Sequence, residues 1–269
     1  MKAERPYPAY TVTPKAEAAI LKGHPWVYAD EITAAPGTAP ENGAVVDVLS
    51  RKGRYLGSGL LSEASKIRVR LLSRNANDRF DEDFWRRRIE YAWAYRKAIY
   101  PAEDLQCCRV VFGEADSLPG VTVDRFGPIL SVQILSYGME KRKELLARLL
   151  VETLQADGQV IEGVFLRNDV ALREKEGLSE GKGWLEVPGL VHPEKAGTII
   201  TENGVRYHVD VENGQKTGFF LDQKLTRRRV AQLAKGRRVL DCFTHTGAFA
   251  LNAAKGGARE VLGVDASQL

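Results

Sequence analysis

The stretch 238–265, RVLDCFTHTGAFALNAAKGGAREVLGVD, decides how this chain is read. Arg238 to Phe243 is a compact apolar run that opens into Thr244-His245-Thr246-Gly247. Gly247 to Ala254 is predicted to be helical, Gly256-Gly257 ends that helix, and Val261 to Val264 is a second apolar strand finishing at Asp265. Strand, turn, helix, strand and acid make a βαβ unit. In such a unit the turn after the first strand offers backbone N–H groups at a helix N-terminus, and an acid at the tip of the second strand can accept hydrogen bonds from a ribose. Gly247 and Asp265 are 18 positions apart, near the roughly 20 expected between a nucleotide-binding turn and its ribose carboxylate. A nucleoside-bearing cofactor is the natural ligand, with a purely structural βαβ turn as the alternative.

The loop itself narrows the cofactor. A dinucleotide site wants three glycines at fixed spacing so that backbone can approach a pyrophosphate, but residues 241–250, DCFTHTGAFA, contain one. That disfavours NAD, and a dehydrogenase with it. S-adenosylmethionine has no pyrophosphate; one glycine for close approach, an acid for the ribose diol and polar groups for the methionine end suffice, and this loop fits them.

Working outward, Ile199 to Val211 carries Asn203-Gly204 between two alternating runs, a strong hairpin signal, and Asp222 to Ala234 has a helical pattern. A boundary is expected near Pro193 to Gly197. Upstream, Asp81 to Tyr100 is predicted to be a helix, with Asp81, Glu82 and Asp83 at its positive end, Trp85, Ile89, Ala92 and Ile99 at helical spacing, and Pro101 as its stop. Val121 to Val123 and Ile129 to Leu135 look like paired strands around Gly127-Pro128, followed by an amphipathic helix from Glu140 to Leu154.

Near the start, Ala44 to Leu49, Tyr55 to Leu61 and Ile67 to Leu72 read as strands of a small β-rich domain. In the last of them Ile67, Val69 and Leu71 fall on one face, and Lys66, Arg68 and Arg70 on the other, because side chains alternate along a strand. These three cations are expected to line one exposed face. Residues 1–75 hold 11 basic and 7 acidic side chains, while residues 76–269 hold 28 of each, so the whole net charge of +4 sits in the first quarter. Such a local excess is the footprint of a phosphate-backbone binder.

At 269 residues there is room for two or three domains, and 44% apolar with 28% charged residues excludes a wholly disordered, collagenous or coiled-coil chain. The longest stretch without a charge, Phe126 to Met139, is fourteen residues, short of the ~20 a membrane helix needs. No membrane association is expected. Met1 to Ala19 lacks a signal-peptide core, so the expected location is cytoplasmic. Cys107, Cys108 and Cys242 are an odd set without metal-ligand spacing and read as reduced thiols, with Cys242 structural at the end of a buried-looking strand. No metal site is expected. Trp26 and Tyr28 read as core, His24 and His192 as structural, Arg227-Arg228-Arg229 as a solvated helix face, and Asp116 and Asp124 as without catalytic role.

Taken together, several segments in register carry a resemblance. Residues 217–223 (TGFFLDQ) and 241–249 (DCFTHTGAF), with His24-Pro25-Trp26-Val27-Tyr28, 113–127 (GEADSLPGVTVDRFG) and 167–177 (RNDVALREKEG), resemble the motifs of the bacterial 23S ribosomal RNA (cytosine-5)-methyltransferases that carry an N-terminal PUA domain. Departures are His245, where tyrosine is common, and Ala248, often glycine. The resemblance implies a multidomain α/β protein: a small β-rich PUA-like barrel at 1–75 that binds RNA, a central α+β domain at 76–195, and, at 196–269, a hairpin and the first βαβ unit of a class I (Rossmann-like) methyltransferase domain. It implies S-adenosyl-L-methionine as cofactor, bordered by Asp222 and Gln223, cradled by Asp241, Phe243 and Gly247, and held at its ribose by Asp265. Lys66, Arg68 and Arg70 are then the RNA-binding candidates, 23S ribosomal RNA the partner, and a homodimer an allowed assembly.

The family's acid-Pro-Pro loop and nucleophilic cysteine are not in this sequence, and methylating carbon 5 of cytosine needs a thiolate to attack carbon 6 first. The chain is therefore expected to be C-terminally truncated, to lack catalytic residues, and to hold cofactor weakly on its own. The competing reading is a non-catalytic PUA-type RNA-binding protein.

Overall fold

The computed structural model describes residues 5–266. Residues 9–73 form strands β1 (Ala9–Val12), β2 (Trp26–Tyr28), β3 (Ile32–Ala34), β4 (Val45–Ser50), β5 (Tyr55–Leu61) and β6 (Ile67–Ser73), with helix α1 (Pro14–Leu21) after β1. They make one sheet in the order β2-β6-β5-β4-β1-β3. The two end strands of that order, β2 and β3, are joined in sequence by a three-residue 3-10 turn, Ala29–Glu31. The sheet must therefore curl until its edges nearly meet, and its concave side closes over Val12, Ile20, Val27, Val48 and Val69. Three of the strands and the apolar alternation of β6 match expectation. The short β1, β2 and β3 were not legible, being three or four residues each.

The middle of the chain contributes α2 (Glu82–Ile99), β7 (Cys107–Phe112), β8 (Val121–Phe126), β9 (Ile129–Ile134), α3 (Tyr137–Glu140), α4 (Lys143–Ala156), β10 (Gly163–Arg167) and β11 (Lys182–Leu185). Asp81 caps α2 by accepting the Phe84 N–H at 3.1 Å, as its sequence position suggests. The strands form a sheet ordered β11-β10-β9-β8-β7, antiparallel except for the β9–β10 pair. Both of its faces are buried. Leu130, Val132 and Ile134 pack under α2 and α4, with Trp85, Ile89, Leu150 and Leu154. Cys107, Phe126, Ile129 and Phe165 point the other way, toward Ile200, Tyr207 and Val209. Ile99, placed on the apolar stripe from spacing alone, is the last residue of α2 and is instead 48% exposed.

The last third begins with the hairpin β12 (Gly197–Glu202) and β13 (Val205–Asp210), turning at Asn203-Gly204, both left-handed. It continues with α5 (Lys224–Ala234), β14 (Arg238–Cys242), α6 (Ala248–Lys255) and β15 (Glu260–Val264), β14 and β15 being parallel. The hairpin packs on the central sheet, and Tyr207 Oη donates to Ala248 O (3.3 Å) and accepts from Asn252 Nδ2 (2.6 Å), which ties α6 to it. Gly256 lets α5 and α6 approach: a Cβ there would overlap the carbonyl of Ala231. The outer face of the β14–β15 pair stays open, with Leu240 at 61% and Leu262 at 57% exposure. Arg227 departs from expectation. It is buried, with Nε 2.6 Å and Nη2 2.9 Å from the two oxygens of the fully buried Glu202. Among the described residues no helix is long and apolar enough to cross a membrane.

Candidate cofactor and RNA sites

The loop between β14 and α6 is shaped by three left-handed residues, Phe243, His245 and Gly247, with φ of 60°, 50° and 72°. Only glycine adopts that backbone without cost, so the two other positions must be held by bonds. Thr244 N donates to Val264 O (3.1 Å) and His245 N to Asp265 Oδ2 (2.8 Å), which lashes the loop to the tip of β15. Asp241 Oδ2 accepts from Thr244 Oγ1 (2.6 Å) and from Ala250 N (3.0 Å), fastening the loop to the first turn of α6. Asp241 therefore has a structural task that sequence spacing did not reveal.

In front of this loop there is room. A Cβ built on Gly247 meets nothing within 4 Å, and Phe243 is 85% exposed. The residues before α5 are brought alongside: the Phe220 ring lies edge-on to His245 at 6.0 Å, and Thr217 Oγ1 anchors that segment by donating to Asp124 Oδ2 (2.6 Å). Asp222, exposed, and Gln223, half-buried, follow on the 3-10 turn Leu221–Gln223. An exposed ring, a glycine facing open space and carboxylates at two strand ends suit an adenosyl group bound through its ribose and its base. Of the expected cofactor residues, Phe243 and Gly247 lie on this loop, Asp241 and Asp265 are bonded to it, and Asp222 and Gln223 sit beside it through Phe220. Ala248, where the family often has glycine, is buried under Tyr207.

The three cations of β6 do not share one exposed face. Lys66 is exposed, and Arg68 is half-buried with Nη1 donating to Glu63 O (2.6 Å). Arg70 is spent at the junction with the central sheet: its side chain is 11% exposed, 2.9 Å from Glu176 and 3.4 Å from Glu114, with the Trp26 ring beneath it. Trp26 Nε1 also donates to Glu114 (2.7 Å), so Trp26 is an interface residue rather than core. Periodicity placed Arg70 correctly opposite the apolar face; it could not show that another sheet docks there. Lys66 does have company, however. It lines a cavity of about 950 Å³ with Lys15 of α1 and with Lys22, which caps the end of that helix; α1, only eight residues long, was not legible in the sequence. Cys242, expected at the end of a buried-looking strand, is exposed, because among the described residues nothing covers that face of β14.

Comparison with known proteins finds a match at each end of the chain. Residues 11–74 match the PUA-like domain family and residues 189–268 the S-adenosylmethionine-dependent methyltransferase family. The chain is 40% identical over 253 residues to the ribosomal RNA large subunit methyltransferase I of Aliivibrio fischeri, covering 94% of this chain and 61% of the relative. It is 40% identical over 258 residues to the protein of that name from Shewanella denitrificans, covering 95% and 62%. The chain thus spans about three-fifths of the length of the curated relatives it matches. A putative S-adenosylmethionine-dependent methyltransferase from Streptococcus mutans superposes with a TM-score of 0.76 at 22% identity, over 97% of this chain and 64% of that one. A putative methyltransferase solved with S-adenosylhomocysteine superposes at 0.78 and 21% identity, over 97% and 63%. These likenesses establish the multidomain α/β fold, a PUA-like unit followed by a Rossmann-like methyltransferase unit.

Proposed function

We propose, for a chain that matches a PUA-like domain at one end and an S-adenosylmethionine-dependent methyltransferase at the other, that the protein carrying it methylates carbon 5 of a cytosine in 23S ribosomal RNA. In this reading the chain divides at 1–75, 76–195 and 196–269 and works in the cytoplasm. The observation that carries it is the loop fastened at both ends, His245 N–H to Asp265 and Asp241 to Ala250, opposite open space at Gly247. Asp265 and Asp222 would hold the ribose and amino-acid ends, Phe243 would cover the adenine, and Lys66 and Arg68 would grip RNA phosphates.

S-adenosylmethionine supplies an electrophilic methyl group; this chain's residues bind and orient its carrier and exclude water. The thiolate that attacks carbon 6 is assigned to neither Cys107 nor Cys108. Burial pushes both thiols up to about 12, so neither is a nucleophile near neutral pH. Cys242 is exposed but belongs to the strand under the cofactor loop, and the proposal gives it no chemistry. The test is transfer of labelled methyl from S-adenosylmethionine to deproteinised large-subunit RNA by the full-length protein. Label recovered as 5-methylcytosine, retained in Cys242→Ser and lowered about 10- to 100-fold in Asp265→Ala, is expected. Label in another base, or loss of transfer in Cys242→Ser, would contradict the proposal.

A further inference from the structure

Three cavities lie side by side, each sharing lining residues with the next. The first, of about 950 Å³, is lined by Lys15, Lys22, His24, Tyr28 and Lys66 on the PUA-like unit. His24 also lines the second, of about 220 Å³, at the junction with the central unit, where Arg74 and Arg88 stand. Arg88 and Ser117 in turn line the third, of about 480 Å³, between α2 and the end of β7. The walls change character along this trough. The first section is cationic: Lys15, Lys22 and Lys66 are exposed, and among the described residues none is in an ion pair. The third is aromatic: Tyr91 is 62% exposed, Tyr95 56% and Phe112 55%.

Those rings are not stray surface residues. Tyr91 and Tyr95 are four apart on α2 and so share one face, and Phe112 comes from a different element to complete the wall. Guanidinium groups back them, Arg96 5.3 Å from the Tyr95 ring centre and Arg109 5.2 Å from that of Phe112. The acids near the aromatic section are already neutralised. Asp116 takes a bidentate bond from Arg96 at 2.5 and 2.7 Å and a third from Phe112 N at 2.6 Å, and Glu114 is shared by Trp26 and Arg70. Asp30 and Glu31 remain on the rim of the cationic section. Arg109 extends the line toward the cofactor loop, since its partner Asp124 (2.8 and 2.9 Å) is also the anchor of Thr217, at the head of the Phe220–Gln223 segment.

We propose that this trough seats a single RNA strand, its phosphates along Lys15, Lys22 and Lys66 and two or three unstacked bases against Tyr91, Tyr95 and Phe112, on its way to the cofactor loop. The inference rests on the RNA substrate of the proposed function and adds where, and in what conformation, the RNA lies. Aromatic faces accept any base by stacking, whereas a duplex keeps its bases stacked on one another and offers the shelf nothing. The lysines act through counterion release and so fall away with salt; the rings do not.

The experiment is fluorescence anisotropy of a labelled, unstructured oligoribonucleotide of ~15 nucleotides, matched to the span of such tracks, and of the same sequence as a duplex, at several salt concentrations. The chain is used whole, with melting curves confirming that each variant folds; all four altered side chains are exposed. The expected result is that Tyr91→Ala with Tyr95→Ala weakens single-strand binding by about 20-fold or more with the salt slope unchanged, and leaves duplex binding alone. Lys22→Ala with Lys66→Ala should weaken both and lower the slope by about two. If the unaltered chain binds RNA and the tyrosine variant binds it equally well, the shelf proposal is overturned while the RNA reading stands. If the unaltered chain binds neither form, the RNA half of the proposed function falls with it.

Discussion

Arg70 shows what one side chain does when two sheets meet. Its guanidinium joins Glu176, 3% exposed, and Glu114 across the junction. Removing one partner of a mostly desolvated pair strands the other, so Arg70→Ala should destabilise the protein by about 2–4 kcal/mol in urea unfolding. A loss under 0.5 kcal/mol would mean that the junction carries no such strain. The same variant is a poor probe of RNA binding, because any loss could come from the junction; Lys66→Glu and Arg68→Glu are the cleaner pair. The thiols give a second residue-scale expectation. Burial raises Cys107 and Cys108 from an ordinary 9.0 to about 12. Below pH 9 both folded and unfolded chains keep these protons, and between 9 and 12 only the unfolded chain releases them. Stability should therefore be flat up to pH 9 and then fall, by at most about 1.4 kcal/mol per pH unit per thiol. Alkylation by iodoacetamide at pH 8, read by mass spectrometry, should mark Cys242 alone. Adducts on Cys107 or Cys108 in the native protein would refute their burial.

Among elements, the βαβ unit from β14 to β15 was legible because each piece has a local cause: an apolar run, a glycine where φ must be positive, a Gly-Gly stop and a second apolar run. The hairpin at Asn203-Gly204 was legible for the same reason. What sequence could not show are contacts between elements distant in the chain. Arg227 looked like part of a solvated basic face, yet its bidentate bond to Glu202 crosses from α5 to β12. Cys242 looked buried by its apolar neighbours, yet among the described residues nothing covers that face of β14. Likewise the roles of Asp241 and Asp265 as loop fasteners depend on bonds that spacing does not encode, although spacing did put both acids at the right strand ends. The α5–α6 contact offers a direct check. Gly256→Ala would press a methyl into the Ala231 carbonyl, and should lower stability by about 1–3 kcal/mol. An unchanged melting temperature would show that the helices can separate at no cost.

At the scale of the molecule, the central sheet is the frame. One face carries α2 and α4, the other the hairpin that leads into the cofactor loop, and its edge region meets the PUA-like unit through Arg70, Trp26 and Leu60. On the proposed reading, this arrangement puts the RNA trough and the cofactor loop in one body, which is what transfer of a methyl group to a chosen base requires. The account stands or falls on the loop. Titrating S-adenosylhomocysteine into isotope-labelled protein and following backbone amide signals tests it directly, and works even for weak binding. Progressive shifts at Gln223, His245, Gly247 and Asp265, reduced in Asp265→Ala, are the expected result; no movement there at millimolar ligand, or shifts confined to the Lys22–Tyr28 cleft, would contradict it.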